Sequence, residues 1–464
     1  MSSGSTGQSS SSSTPNSTST YEYSHEPYDT FKAKVLSLTQ SLSSTQEIDL
    51  QRARGGSYNR VVIARLTLAS SCLAGIFRIP RFPDIPDAGE EGRTGAIDVN
   101  ILDQAAILQF LAKKLIPAPR LIAFDASPNS AIESPYIFQE FSGGSALDLV
   151  YGSMSHGEKI EIVDALTDFL VRMEHVQFPA CGLLVAESRS SSTMTKASRL
   201  DDTLQDLTSA VKGFTISTED DSTYSSCSTK ALIGQLLAAR KEEDETESRK
   251  PNKVSSMWSG LCDMFDHMCS LGFFSSLNQF SVDGSILYHW DLEPRNILVK
   301  QASTKDHNAS IQHAEERHEE LATMSWTIDR VIDWDRVQAV PPLLARKPPV
   351  WLWDFSEDDE HSSLPSIYDG DVDLLSASRY DRDEGRLDTQ SQLLRTHFEE
   401  GFIRQMQKLY PEYNAEIYRE ETYGRGRWLR RLARFAIHGA SDNQDVKRYT
   451  ALEREWCTVR SQYE

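Results

Sequence analysis

The stretch "LYHWDLEPRNILVK", Leu287 to Lys300, decides how the chain is read. A short apolar approach leads into a loop holding His289, Asp291 and Asn296, and the loop runs out into the apolar segment Ile297–Val299. Taken alone, these polar residues would serve as caps of an ordinary turn between two strands, because Asp and Asn satisfy backbone groups there. They also meet the needs of phosphoryl transfer to a hydroxyl. That chemistry requires a carboxylate to orient the acceptor and take its proton. It also requires oxygen ligands for the magnesium ions that neutralise the phosphates. Asp291 suits the first task and Asn296 the second, with Pro294 stiffening the turn between them.

A second metal ligand belongs at the end of a neighbouring strand. "VIDWDR", Val331 to Arg336, offers Asp333 after two β-branched residues, so a buried strand would deliver its carboxylate at a rim. Asp335 reads as a strand cap or as the partner of a nearby Arg, with a further metal ligand as the alternative. Neither motif decides alone; in this order, after a strand-rich region, they favour a phosphoryl-transfer site.

On these residues the chain resembles the aminoglycoside phosphotransferase family, relatives of choline kinases and eukaryotic protein kinases. "HWDLEPRNILV" is similar to the family's H-x-D-x-x-x-x-N catalytic loop, and "VIDWD" to its I-D-W-[DE] metal motif. A weaker resemblance extends over residues 50 to 440 or so. The resemblance implies an α+β, two-lobed protein-kinase-like fold, with a small β-rich N-lobe and a larger helical C-lobe. It implies ATP and Mg as cofactors, and a nucleotide and a small-molecule hydroxyl acceptor as partners. By it, Asp291 is the catalytic base, His289 braces the loop, and Asn296 and Asp333 are the magnesium ligands. Gly55, Gly56 and Ser57 in "RGGSYNR" take the place of the phosphate-covering turn. Glu140 and Phe141, at the end of "YIFQEF", take the place of the hinge whose backbone meets the adenine.

Two positions depart from the family pattern. Arg78 replaces the strand lysine that pairs with the nucleotide phosphates; it keeps the charge but is bulkier and differently hydrated. The helix acid that holds that cation aligns with the neutral Gln104, with Asp103 beside it. These departures motivate an alternative, a catalytically weak kinase-like (pseudokinase) module that binds or scaffolds. A protein kinase is not indicated, because neither D-F-G nor A-P-E follows Asp333.

Outward from the site, the pattern divides the chain. Residues 1–28 form a Ser/Thr-rich tail too poor in apolar residues to order, and "YDTFKAKVLSLTQSL" then reads as an opening helix. "RVVIARLTLA" and "CLAGIFRIPRF" read as an antiparallel strand pair, followed by a helix over Asp98–Leu115 and the strands "APRLIAFD" and "PYIFQEF". Residues 29–143 would make the nucleotide-binding lobe, with Gly143 and Gly144 as its hinge. Residues 144–464 would make the helical lobe, opened by a helix over His156–Val176 with Ser155 as N-cap. Three polar inserts interrupt it, at about 187–256, 301–325 and 356–385. His307, His313 and His318 fall in the second insert without the i, i+4 spacing of a helical zinc face. "RGRWLRRLARF" reads as a helix with Trp428, Leu432 and Phe435 inward and its arginines outward. Trp351 and Trp353 read as packing residues on one side of an extended segment.

Composition sets the outer bounds. The chain has 464 residues and a net charge of -20, from 68 acidic and 48 basic side chains, which argues against a broad nucleic-acid-binding face. That charge serves solubility first; as far as it speaks of ligands, it favours cationic or metal-complexed ones. The six cysteines form no C-x-x-C pair, which points to a reducing compartment rather than a disulfide framework or thiolate zinc site. No apolar run reaches the roughly 18 residues of a membrane span, and the N-terminus lacks a signal pattern. The expectation is therefore a cytoplasmic, soluble chain with neither nucleic acid nor membrane as partner. The acceptor, the choice of ATP or GTP and the oligomeric state are left open.

Overall fold

A computed structural model of the chain describes residues 26–43, 47–53, 59–67, 72–80, 90–187, 209–216, 222–247, 253–274, 284–303, 324–354, 387–440 and 443–464. Two compact units emerge: residues 1–105, 120–141 and 189–206 form one, and residues 106–119, 142–188 and 207–464 the other.

The first unit is strand-rich. Its elements are α1 (Tyr28–Leu42), β1 (Glu47–Arg52), β2 (Asn59–Thr67), β3 (Cys72–Pro80), the first part of α2 (Glu90–Lys113), β4 (Leu121–Asp125) and β5 (Tyr136–Glu140). The strands form one antiparallel sheet in the order β1-β2-β3-β5-β4. Strict alternation explains β2, where Arg60, Val62, Ala64 and Leu66 are buried and the residues between them are half-exposed. Val62, Ala64 and Leu66 pack with Phe77 and Ile79 of β3 under the α1 stripe Phe31, Val35, Leu38 and Leu42. Phe77 stacks on Phe138 with ring centroids 4.1 Å apart. Gly75 makes room for that stack, because a Cβ there would sit 2.3 Å from the Phe138 ring. The strand β1 is not evident from pattern: "EIDLQR" has only two apolar residues, and it is held by full pairing with β2. Likewise α2 begins at Glu90 rather than at Asp98.

The second unit is mainly helical. It holds β6 (Ser145–Ala146), the single turn α3 (Leu147–Val150), α4 (His156–Glu174), β7 (Gln177–Phe178), β8 (Gly182–Ala186), β9 (Ser209–Lys212), α5 (Thr229–Glu247) and α6 (Lys253–Ser270). These are followed by β10 (Ser285–Tyr288), β11 (Ile297–Ser303), β12 (Met324–Val331), β13 (Gln338–Val340), the single turn α7 (Pro342–Ala345), α8 (Thr389–Leu409), α9 (Ala415–Thr422), α10 (Arg425–His438) and α11 (Asn443–Val459). Two antiparallel sheets thread through the helices, in the orders β7-β10-β13-β8-β9 and β12-β11-β6. Ser155 caps α4 in a reciprocal capping box: its Oγ accepts from Glu158 N at 3.3 Å, and Glu158 Oε2 accepts from Ser155 N at 2.8 Å.

Three expectations change here. The region 187–256 is not wholly a solvated insert: β9 pairs with β8, and α5 buries Leu232, Ile233, Leu236 and Leu237 against α6 and α10. That stripe of three leucines and one isoleucine is short, and the charged run that follows it masks the amphipathic pattern. In α10 the arginines do not point outward, since Arg427, Arg430 and Arg431 are buried along with Trp428, Leu432 and Phe435. Carboxylates far away in sequence make this tolerable: Glu455 of α11 pairs with Arg427 at 2.9 Å and with Arg431 at 2.7 Å. Trp351 and Trp353 are buried packing residues, but they lie at a 3-10 turn, Val350–Leu352, rather than on an extended segment. The tail before Glu26, the glycine turn at Gly55, Gly56 and Ser57, the histidines His307, His313 and His318, and the insert at 356–385 lie outside the described residues. None of the helices described is long and apolar enough to cross a membrane.

Candidate active site

The loop after β10 is built from a buried anchor outward. His289 is 3% exposed, its ring set edge-on to Trp334 at 4.7 Å, and its Nε2 donates to Ile332 O at 3.0 Å. Burial lowers the imidazole pKa, more than the carbonyl bond and the Asp291 charge raise it, so the ring is a neutral brace. Beyond it, Pro294–Asn296 form one 3-10 turn that delivers the chain into β11.

Asn296 ties the two polar motifs together. Its Nδ2 donates to the Asp291 backbone carbonyl at 2.9 Å and to Asp291 Oδ2 at 3.0 Å, fixing the carboxylate's orientation. Its own carbonyl accepts from Ile332 N at 2.8 Å, continuing the β11–β12 ladder in which Ile297 faces Val331. Asp333 follows immediately, at φ +65°, a left-handed conformation that Asp tolerates better than most residues. Asp333 is exposed. β12 is itself pinned to α4, through Glu158 accepting from Trp326 Nε1 at 2.9 Å and Glu161 accepting from Trp326 N at 2.8 Å.

Arg295 stands among the acids. Its Nη2 donates to both Asp291 carboxylate oxygens, at 2.6 and 2.8 Å. Partial burial would lower the guanidinium pKa, but the bond to Asp291 and the charges of Asp291, Glu293 and Asp333 raise it overall. Asp291, Glu293, Arg295 and Asp333 therefore form one electrostatic cluster. With Asn296 Nδ2 committed to Asp291, Oδ1 is the atom of that side chain able to ligate a cation. Asn296 Oδ1 and the Asp333 carboxylate are hard oxygen donors, a set that suits magnesium completed by water and phosphate oxygens. No group of three or more His, Cys, Asp or Glu able to hold a metal exists among the described residues.

A cavity of about 450 Å³ opens beside Asp291 and is walled by the helical unit's own residues. Trp290 forms part of its lining and lies over the His438 ring, centroids 3.5 Å apart. Its charged lining is Arg295, Lys347, Arg430, Arg434, Arg448, Asp291 and Glu293, five cations to two carboxylates. That balance is the reverse of the chain's net charge of -20, and it does not match the expectation of cationic ligands. Pattern reading met Arg430 and Arg434 as the outer face of an amphipathic helix, and had no signal for Lys347 or Arg448.

The remaining candidates lie in the strand-rich unit. Arg78 is half-buried near the C-terminal end of β3, paired with Val61 and Ile137. Gln104 is buried on α2, and Asp103 beside it is half-buried. The Glu140 N–H donates to Arg120 O at 2.8 Å and the Phe141 N–H to Ala74 O at 3.0 Å. Both N–H groups, which the resemblance assigns to an adenine, are thus used by backbone carbonyls.

No family model matches the chain, and no curated protein matches it. Among solved structures, the chain is similar to an aminoglycoside phosphotransferase described as putative from Ralstonia eutropha, with 12% identity and a TM-score of 0.42 over 93% of this chain and 98% of that one. It is similar to choline kinase from Cryptosporidium parvum, with 10% identity and a TM-score of 0.43 over 93% of this chain and 96% of that one. The ADP-bound aminoglycoside phosphotransferase APH(2'')-Ib gives 11% identity and a TM-score of 0.40 over 93% and 98%. At these scores the likenesses assign no residue of this chain a role. The α+β architecture stands on the strand-rich and helical units themselves.

Proposed function

We propose that this chain is a phosphotransferase that moves the γ-phosphoryl group of a magnesium-bound nucleotide, ATP by the motif resemblance, to a hydroxyl of a small molecule. The observation that carries the reading is Asn296, which holds the Asp291 carboxylate through Nδ2 and the strand leading to Asp333 through its carbonyl. One residue thereby couples a base to a pair of metal ligands.

In this reading Asp291 accepts a hydrogen bond from the acceptor O–H and takes its proton as the new O–P bond forms. The bond between the γ-phosphorus and its bridging oxygen breaks, and the nucleoside diphosphate departs with that electron pair. Asn296 and Asp333 would hold magnesium, which supplies charge neutralisation at the phosphate oxygens. His289 keeps the loop in register as a neutral brace. Arg295 holds Asp291 in place and must share or release it when the acceptor hydroxyl arrives. Arg78 supplies the cation for the nucleotide phosphates.

The test is magnesium-dependent nucleotide consumption across a panel of hydroxylated small molecules, with wild type and Asp291→Asn. The isosteric change is expected to lower turnover by about 10² to 10⁴ while nucleotide binding persists. A wild type that neither binds nor consumes nucleotide sinks the proposal. The buried neutral Gln104 favours one second reading, a kinase-like binding module. Nucleotide-induced thermal stabilisation without turnover on any acceptor would select it.

A further inference from the structure

The cavity beside Asp291 has a chemical character that the catalytic motifs do not account for. Its far wall is made by α10 and α11. There Arg434 and Arg448 both donate to a single oxygen, Asp445 Oδ1, at 3.0 and 3.1 Å, so two guanidiniums share one carboxylate. Arg430 is 5% exposed and donates to the backbone carbonyls of Glu421 and Thr422, both at 2.6 Å, and to that of Leu343 at 3.4 Å. Lys347 enters from the segment after α7. Among the described lining residues together with Asp445, the cations are Arg295, Lys347, Arg430, Arg434 and Arg448 and the carboxylates are Asp291, Glu293 and Asp445. Two of those carboxylates, Asp291 and Glu293, lie at the catalytic end, which leaves the far wall more positive still.

We infer that the cavity binds an anionic hydroxyl compound, one bearing a carboxylate or a phosphate, with its anion against Arg430, Arg434 and Arg448 and its hydroxyl toward Asp291. This rests on the phosphotransferase reading for the role of Asp291, but the anion preference rests on the wall alone. Planar guanidiniums grip carboxylate and phosphate oxygens in pairs, and in a walled cavity those bonds are stronger than at an open surface. The positive field is also felt by His438, which packs on Trp290 at the cavity edge. Burial, then the charges of Arg336, Arg434 and Arg240, hold its pKa down to about 3.

The test uses the full-length, nucleotide-free chain and calorimetric titration with glycerate, glycerol 3-phosphate, glycerol and glucosamine. The two anions separate the carboxylate source from the phosphate source, and the other two supply neutral and cationic hydroxyl compounds. One or both anions are expected to bind more tightly than glycerol and glucosamine. Arg448→Gln and Arg434→Gln are each expected to weaken that binding by about tenfold, with the effect shrinking as salt is raised. Because these arginines hold Asp445, Asp445→Asn serves as the second variant. It removes a carboxylate from behind the wall, so anion binding should hold or tighten, whereas a purely structural role predicts that it falls with the arginine variants. Anions that bind no better than glycerol, glucosamine that binds best, or anion binding indifferent to Arg434 and Arg448 would each overturn the inference. Anion binding without turnover on any acceptor would instead overturn the phosphotransferase reading and leave the cavity's preference standing.

Discussion

Glu455→Gln tests whether the buried arginines Arg427 and Arg431 of α10 are held as the structure says. Glu455 is 8% exposed and bonds Arg427 and Arg431, which are 4% and 1% exposed on their side chains, at 2.9 and 2.7 Å. Burial would raise the Glu455 pKa, but the two guanidiniums overcome it and bring the carboxyl from its ordinary 4.5 down to about 2. At about 1.4 kcal/mol per pH unit, that difference is worth about 3 kcal/mol of stability. The folded-state pKa is depressed, so the contribution is complete above pH 4.5 and is lost as pH falls from there toward 2. Gln keeps the shape, removes the charge and leaves two buried guanidiniums sharing a neutral amide. Urea unfolding followed by far-UV circular dichroism should show the variant less stable by about 3 kcal/mol at pH 7. The gap should narrow to about 2 kcal/mol at pH 3.5, where the wild-type carboxylate has lost part of its advantage. A gap under about 1 kcal/mol at pH 7, or one unchanged between pH 7 and 3.5, would refute the claim that Glu455 is an ionised clamp on α10.

Other perturbations probe the remaining links. Asn296→Ala removes the Asp291 tether and, on the proposed reading, a magnesium ligand, so activity should require about tenfold more magnesium while the melting temperature moves little; an unchanged magnesium dependence would count against Asn296 as a ligand. Ser155→Ala breaks the capping box of α4 and should cost about 1 kcal/mol in urea unfolding, and no measurable loss would mean that the cap is redundant. Gly75→Ala places a Cβ against the Phe138 ring and should destabilise the strand-rich unit by about 1–3 kcal/mol, whereas a neutral outcome would mean that the Phe77–Phe138 stack yields easily.

The loop geometry around Asp291 and Asn296 was legible because both residues sit inside a short contiguous motif whose local structure does the positioning. Asp291 and Asn296 share one loop, and the ladder register of Ile297 on Val331 is continued by Ile332 N donating to Asn296 O, one residue before Asp333. The strand β2 was legible for a similar reason, since a period of two declares a half-buried strand wherever it occurs. β1 was not, because "EIDLQR" carries too few apolar residues and owes its place to its neighbour β2. The arginines of α10 misled in a more instructive way. Periodicity assigns a charged residue to the solvent side, and that holds only for a helix with a solvent side. α10 is covered around most of its circumference, with ten of its fourteen residues buried. What allows Arg427 and Arg431 inside is Glu455, and what engages Arg434 is Asp445, both on α11. The compensating charge belongs to tertiary structure, and no window of sequence contains it.

Net charge misled by the same route. A value of -20 describes the whole chain, while screening at physiological ionic strength limits each exposed charge to a reach of about 8 Å. A cavity of about 450 Å³ therefore takes its potential from the handful of groups lining it. Those groups come from four separated segments: the catalytic loop with Arg295, the turn after α7 with Lys347, α10 with Arg430 and Arg434, and α11 with Arg448. Acidic composition keeps such a protein soluble and says nothing about the sign of a site assembled by folding. On the proposed reading, the motifs suggest the chemistry of Asp291, and the arginines that the fold brings to one wall suggest the charge of the molecule on which it would be done.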